Sequence, residues 1–180
     1  MFAFVKRLVP KRFRKSHKTI PVVRLAGQIM PDGGRFQSAL NLESVAAALE
    51  AAFEAKDAPA VALVVNSPGG SPVQSRLIYQ RIRTLAAEHG KKVFVFVEDV
   101  AASGGYMIAL AGDEIIVDPT SIVGSIGVVS GGFGFTELIA KIGVERRLYT
   151  SGENKAILDP FSPEKPDEVA VLQALQREIH

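Results

Sequence analysis

Two short turns in the chain gather residue types suited to acyl chemistry. Asn66-Ser67-Pro68-Gly69-Gly70 joins a proline, which fixes the turn, to adjacent glycines whose backbone N–H groups lie uncovered for a ligand oxygen. Ala101-Ala102-Ser103-Gly104-Gly105 sets a serine among small residues, after an apolar run and ahead of a helix-forming stretch. A hydroxyl placed there faces a helix N-terminus, where N–H groups favour developing negative charge. The turn approximates the strand-to-helix elbow of G-x-S-x-G nucleophiles, with Ala101 at the first glycine position. Each turn also has a plain reading: a tight strand-to-helix connection for the first, a serine N-cap for the second. Together they suggest a nucleophile and an oxyanion hole facing each other across neighbouring strand ends.

A serine nucleophile needs a base. His17 lies in an N-terminal tail, His89 at an expected helix end and His180 at the terminus, so no histidine obviously returns to Ser103 and a Ser-His-Asp triad is disfavoured. Zero cysteines remove a thiol nucleophile, thiolate metal sites and a disulfide framework. The remaining base of suitable strength is a lysine made neutral by burial. Lowering a lysine from about 10.4 to about 7 costs roughly 5 kcal/mol, which desolvation can supply. Lys141, Lys155 and Lys165 follow Ser103; Lys141 rides a helix end and Lys165 lies in a charged segment. Lys155 is followed by Ala156-Ile157-Leu158, apolar residues able to dry the site.

These residues must be positioned by an alternation of strand and helix. Ile20–Ile29 reads as an opening strand, and Asn41 as the N-cap of a helix with Leu42, Val45, Leu49 and Phe53 on one face. Val61–Val65 is a continuous apolar run, as in a strand buried on both faces. Ser71 and Pro72 open a helix carrying Leu77, Ile78, Ile82 and Leu85, and Gly90 ends it. Val93–Val97 is a further strand, followed by Glu98–Gly105, the stretch that ends in the Ser103 turn. A short helix to about Leu110, a strand at Ile115–Val117 and a Gly-rich run from Gly124 to Gly134 follow. Thr136 caps a helix closed by Gly143, Val144–Tyr149 is a strand, Thr150–Ser162 a loop, and Asp167–Ile179 a helix on Val169, Leu172 and Ile179. The pattern predicts an α/β domain with mostly parallel pairing. Ile29, Val100, Tyr106 and Val128 flank the two turns and predict an apolar pocket.

The 180 residues suffice for one domain, and 47% hydrophobic against 22% charged residues excludes disorder for the bulk. The net charge of +2 conceals a polarised chain. Residues 1–18 hold seven cations and no acid, leaving 14 cations against 19 acids in the rest. Residues 1–19 therefore read as a basic tail and 20–180 as the folded domain, whose last helix reaches the terminus without a cap and so reads as truncated. A nucleic-acid enzyme would carry its basic patch on the body, so no nucleic-acid partner is expected. Phe2, Phe4, Val5, Leu8, Val9 and Phe13 among the cations of residues 1–18 suit an anionic membrane surface; a solubilising tail is the alternative. No stretch reaches the ~20 apolar residues of a spanning helix.

Four motifs in one order resemble the bacterial signal peptide peptidase A family, Ser-Lys serine peptidases of the caseinolytic-protease/crotonase fold. They are Asn66–Gly70, Val100–Tyr106, Gly124-Ser125-Ile126-Gly127-Val128 and Ser151-Gly152-Glu153-Asn154-Lys155. The resemblance runs from about Ile20 to the end of the chain. It implies a repeated β-β-α spiral with mostly parallel strands, Ser103 as nucleophile and Lys155 as general base. Gly69 and Gly104 are similar to the oxyanion-hole donors, and Ser125 resembles the serine that orients the lysine amine. It implies no metal or organic cofactor, remnant signal peptides or other small-apolar extended peptides as substrate, and a homo-oligomer that lends the lysine between subunits. A bacterial location, cytoplasmic or peripheral at the inner membrane, goes with it. Two other classes stay open: a crotonase-like enzyme acting on acyl-thioesters, and a non-catalytic membrane-surface scaffold.

Overall fold

The computed structural model describes residues 19–33, 39–152 and 154–180. The chain divides into two compact units, Met1–Ser125 and Ile126–His180. The basic tail at residues 1–18 and the apolar residues in it lie outside the described residues.

The first unit is built on strands β1 (Val22–Ala26), β2 (Ala60–Ser67), β3 (Lys92–Ala102), β4 (Glu114–Val117) and β5 (Ile122–Gly124). Helices α1 (Leu42–Glu54), α2 (Pro72–His89) and α3 (Gly104–Ala109) connect them. The sheet runs β1-β2-β3-β4, with β5 also on β3, and every pairing is parallel. This is the α/β fold of repeated parallel strands and crossover helices that the alternating pattern predicts.

Apolar side chains of β2 and β3 meet one layer of helices. Val61, Leu63, Val65, Val93 and Val95 are fully buried, against Leu49 and Phe53 of α1 and Ile78 and Ile82 of α2. β2 is buried along nearly its whole length, as its unbroken apolar run requires. β3 alternates instead: Val93, Val95 and Val97 are buried while Phe96 is 42% exposed. Leu77 likewise turns partly outward from the α2 face that buries Ile78 and Ile82.

Local signals set the helix limits. Asn41 accepts the Ser44 N–H at 2.8 Å while Ser44 Oγ accepts the Asn41 N–H at 3.1 Å, a reciprocal capping box. Ser71 caps α2, Pro72 opens it, and Gly90 ends it at φ 61.

Five expectations are corrected. β1 is shorter than Ile20–Ile29, because Ile29 leaves the strand for isolated bridges to Leu40 and Gly70. β3 does not stop at Val97 but continues through Glu98–Ala102, where β5 supplies a partner from Val100 on. β5 itself, Ile122–Gly124, was hidden at the head of the Gly-rich run. In the second unit, α4 (Thr136–Lys141) has its N-cap at Phe135, so Thr136 is the first helical residue and caps nothing; Gly143 does follow it at φ 70. Val144–Tyr149 forms no strand: it is exposed throughout and has no ladder partner among the described residues, and β-propensity alone does not hold a strand.

α5 (Pro166–Ile179) completes the second unit and starts one residue before its expected position. No described residue of this unit is buried. No helix among the described residues is long and apolar enough to cross a membrane.

Candidate active site

The carboxyl end of β3 is shaped by a bulge. Val65 of β2 faces Val97, but Ser67 faces Ala101, so β3 holds two extra residues over that interval. The same interval is where β3 changes its other neighbour, from β4 (last rung Val97 with Val117) to β5 (first rung Val100 with Ile122). The ladder then continues to Ala102 opposite Gly124, and the Ser103 N–H donates to the Gly124 carbonyl at 2.7 Å.

Ser103 stands at the N-cap position of α3 with φ 52 and ψ −120. Its side chain makes no capping hydrogen bond. The plain N-cap reading therefore fails: Ser103 is half-buried and its hydroxyl is not used by the helix. A non-glycine residue at this φ is strained, as in a strand-to-helix elbow that thrusts a nucleophile out of the chain.

The glycines around it are required by close backbone approach. A Cβ on Gly104 would stand 2.2 Å from Ser75 Oγ, and one on Gly105 would stand 2.4 Å from the Ser67 carbonyl oxygen. Gly69, at φ 95, would meet the Ala102 carbonyl oxygen at 2.6 Å and the Gly104 nitrogen at 2.8 Å. The Asn66–Gly70 and Ser103–Gly105 turns are thus pressed together, as the sequence suggests. The Gly69 N–H donates to Ser67 Oγ at 3.2 Å, a buried bond that must open before this N–H can serve a substrate oxygen. The Gly104 N–H lies in the first turn of α3, where no intrahelical acceptor exists.

Ser125 follows Gly124 as Ser103 follows Ala102, so the two serines end neighbouring strands. Ser125 too has a positive φ, 51. Lys155 belongs to the second unit, in a turn where its N–H donates to the Gly152 carbonyl at 3.4 Å. Ala156, Ile157 and Leu158 are half-buried, but Lys155 is exposed, so these neighbours in sequence do not dry the lysine as expected. Of the apolar residues expected to flank the turns, Ile29 is a core residue, 1% exposed, while Val100, Tyr106 and Val128 are half-buried.

His89 packs near Phe53 at the amino end of β3, with ring centroids 6.4 Å apart. The 11 residues of β3 separate it from Ser103 by roughly 30 Å at about 3.3 Å per residue. His17 lies outside the described residues. Sequence reasoning missed three contributors: Asn66, whose amide fills the bulge, and the buried Ser67 and Ser75, which pack under Gly105 and Gly104. Asn66 and Ser67 were legible only as turn formers; Ser75, inside a helix, gave no signal.

Residues 86–180 match the profile of a family described as Peptidase family S49. Over 176 residues, 98% of this chain, the sequence is 69% identical to a protein named Na(+)/H(+) antiporter NhaA from Brucella melitensis, covering 24% of that protein. It is 32% identical over 158 residues to Serine protease SPPA, chloroplastic, from Arabidopsis thaliana, covering 86% of this chain and 23% of the relative. The chain thus spans about a quarter of the length of these curated relatives. Among solved structures, a membrane-bound stomatin-specific protease superposes with a TM-score of 0.48 at 23% identity, over 64% of this chain and 51% of that one. That likeness is too distant to carry residues across.

Proposed function

The chain belongs to peptidase family S49, and from that premise we propose a serine endopeptidase in which Ser103 and Lys155 act as a dyad. One observation carries the reading: Ser103 is held at φ 52 against the amino end of α3 with its hydroxyl unused by the helix. Neutral Lys155 Nζ takes the Ser103 Oγ proton as Oγ attacks a peptide carbonyl, forming a tetrahedral oxyanion. The Gly104 N–H and, once freed from Ser67, the Gly69 N–H stabilise that oxyanion. Ser125 orients the lysine amine. The lysine ammonium then protonates the leaving amine as the C–N bond breaks, leaving an acyl-serine. Water, deprotonated by the same lysine, releases the acid. These steps call on no metal or organic cofactor.

Remnant signal peptides or other extended, small-apolar segments are the proposed substrates, and residues 20–180 act as one peptidase domain. The exposure of Lys155 favours a homo-oligomer, since a second copy covering the lysine would supply the desolvation that a neutral amine needs. Residues 1–18 would hold the protein at an anionic membrane surface, at the inner membrane of a bacterium. The name of the Brucella relative belongs to a chain about four times as long, and the reading here rests on the peptidase family match.

Peptide and acyl-thioester substrates separate the classes. Hydrolysis of a small-apolar peptide, lost in both Ser103→Ala and Lys155→Ala, supports the dyad. Thioester turnover that survives both substitutions would place the chain among acyl-thioester enzymes, and inertness toward both substrates would leave the scaffold reading.

A further inference from the structure

We propose that Asn66 is a positioning residue for Ser103, its side-chain amide holding the β3 bulge whose phase delivers the serine to the turn. The inference rests on the reading of Ser103 as nucleophile.

In a parallel ladder one residue on a strand is matched by one on its neighbour. Between the Val65–Val97 and Ser67–Ala101 rungs, β2 advances two residues while β3 advances four. The extra residues present backbone groups that the ladder cannot pair. Asn66, the one β2 residue opposite them, answers with its side chain. Asn66 Oδ1 accepts the Val100 N–H at 3.2 Å, and Nδ2 donates to Asp99 Oδ2 at 2.7 Å. The Asn66 carbonyl is meanwhile fixed by the Gly27 N–H at 3.0 Å, so the amide works from an anchored backbone. From the other side, Ser121 Oγ donates to the Glu98 carbonyl at 2.6 Å.

Val100 is the residue at which β5 takes up its register, and only Ala101 and Ala102 separate it from Ser103. Fixing the Val100 N–H therefore fixes the rungs that end in the Ser103–Gly124 hydrogen bond. A slip of one residue would exchange the faces of every later side chain and carry Ser103 out of the elbow. The chemistry at position 66 is specific. An amide offers an acceptor to an N–H and a donor to a carboxylate at once; a carboxylate offers only acceptors, and an aliphatic chain offers neither.

The test is the rate at which a fluorophosphonate labels Ser103, read by mass in the full chain. Asn66→Asp keeps the acceptor for Val100 but opposes the Asp99 carboxylate, and labelling is expected to slow roughly tenfold or more. Asp99→Asn in the same chain restores a donor–acceptor pair with its direction reversed, and the rate is expected to return to within about threefold of the wild type. A merely structural role would not show this rescue. Wild-type labelling in Asn66→Asp, or a double variant no faster than the single one, overturns the proposal. If Asn66→Asp does not fold, Asp99→Ala removes only an exposed side chain and must slow labelling at least about threefold; an unchanged rate overturns the proposal equally. A wild-type chain that is labelled elsewhere than Ser103 refutes the nucleophile assignment itself, and the positioning role falls with it.

Discussion

Ser103, the proposed nucleophile, is one of three non-glycine residues at positive φ among the described residues, with Ser125 and Leu158. A non-glycine residue at φ 52 costs on the order of 1 kcal/mol or more, and the surrounding rungs must hold it there. Ser103→Gly is therefore expected to raise the melting temperature while abolishing peptide hydrolysis. A lowered melting temperature would mean that the serine is not strained. A second residue, Asp113, clamps the start of β3: its carboxylate accepts the Val93 N–H at 2.7 Å, and its own N–H donates to the Val93 carbonyl at 2.8 Å. The Val93 bond first, and Arg83 after it, hold the Asp113 carboxyl below the ordinary carboxylate value. A lowered folded-state value makes this contribution fully present above the unfolded carboxylate value and lost as pH falls through the folded one. Thermal stability should thus fall on acidification below about pH 4, and less steeply in Asp113→Asn. Equal slopes in the two proteins would remove Asp113 from the account. At this scale the close glycine turns and the place of Ser103 between strand and helix could be read from the sequence. The partner of the bulge could not, because an asparagine before Ser-Pro-Gly-Gly looks like any other turn former.

At the scale of elements, the site is a matter of which strand ends meet. β2 and β3 stop at the same edge of the sheet, and α3 leaves from it with two glycines packed on Ser75 and Ser67. Gly104→Ala would drive a methyl group into Ser75 Oγ and push α3 away from the Gly69 turn. Probe labelling of that variant is expected to fall roughly a hundredfold, and Ser75→Ala, by removing the hydroxyl, should recover part of the loss. Full labelling of Gly104→Ala would show that the turn tolerates the displacement. The capping box of α1, the Ser-Pro start of α2 and the αL glycine after it were plain in the sequence, since each is local chemistry. The length of β3 and the existence of β5 were not, because both depend on a partner strand. Val144–Tyr149 shows the converse: its β-prone Val144 and Tyr149 read as a strand, yet with no ladder partner among the described residues it stays irregular.

At the scale of the molecule, the two units differ in how they are sealed. The first has a core of β2, β3, α1 and α2; the second has no buried residue among those described, with Val129 94% and Tyr149 90% exposed. Apolar surface of this extent calls for cover, and the proposed oligomer supplies it along with a dry setting for Lys155. Mixing Ser103→Ala with Lys155→Ala subunits under confirmed exchange should then restore part of the activity that each lacks alone. No recovery would put the dyad within one chain. The alternation of strands and helices made the α/β fold legible, whereas the exposure of the second unit could not be read from its periodicity, because burial depends on what packs against a face. The central claim, a serine made nucleophilic by a lysine, is tested most directly by intact-protein mass after exposure to a fluorophosphonate, with peptide mapping of the adduct. The account predicts one adduct, on Ser103, formed by the wild type and lost in Lys155→Ala; an adduct that forms as fast without Lys155, or on a different serine, would contradict it.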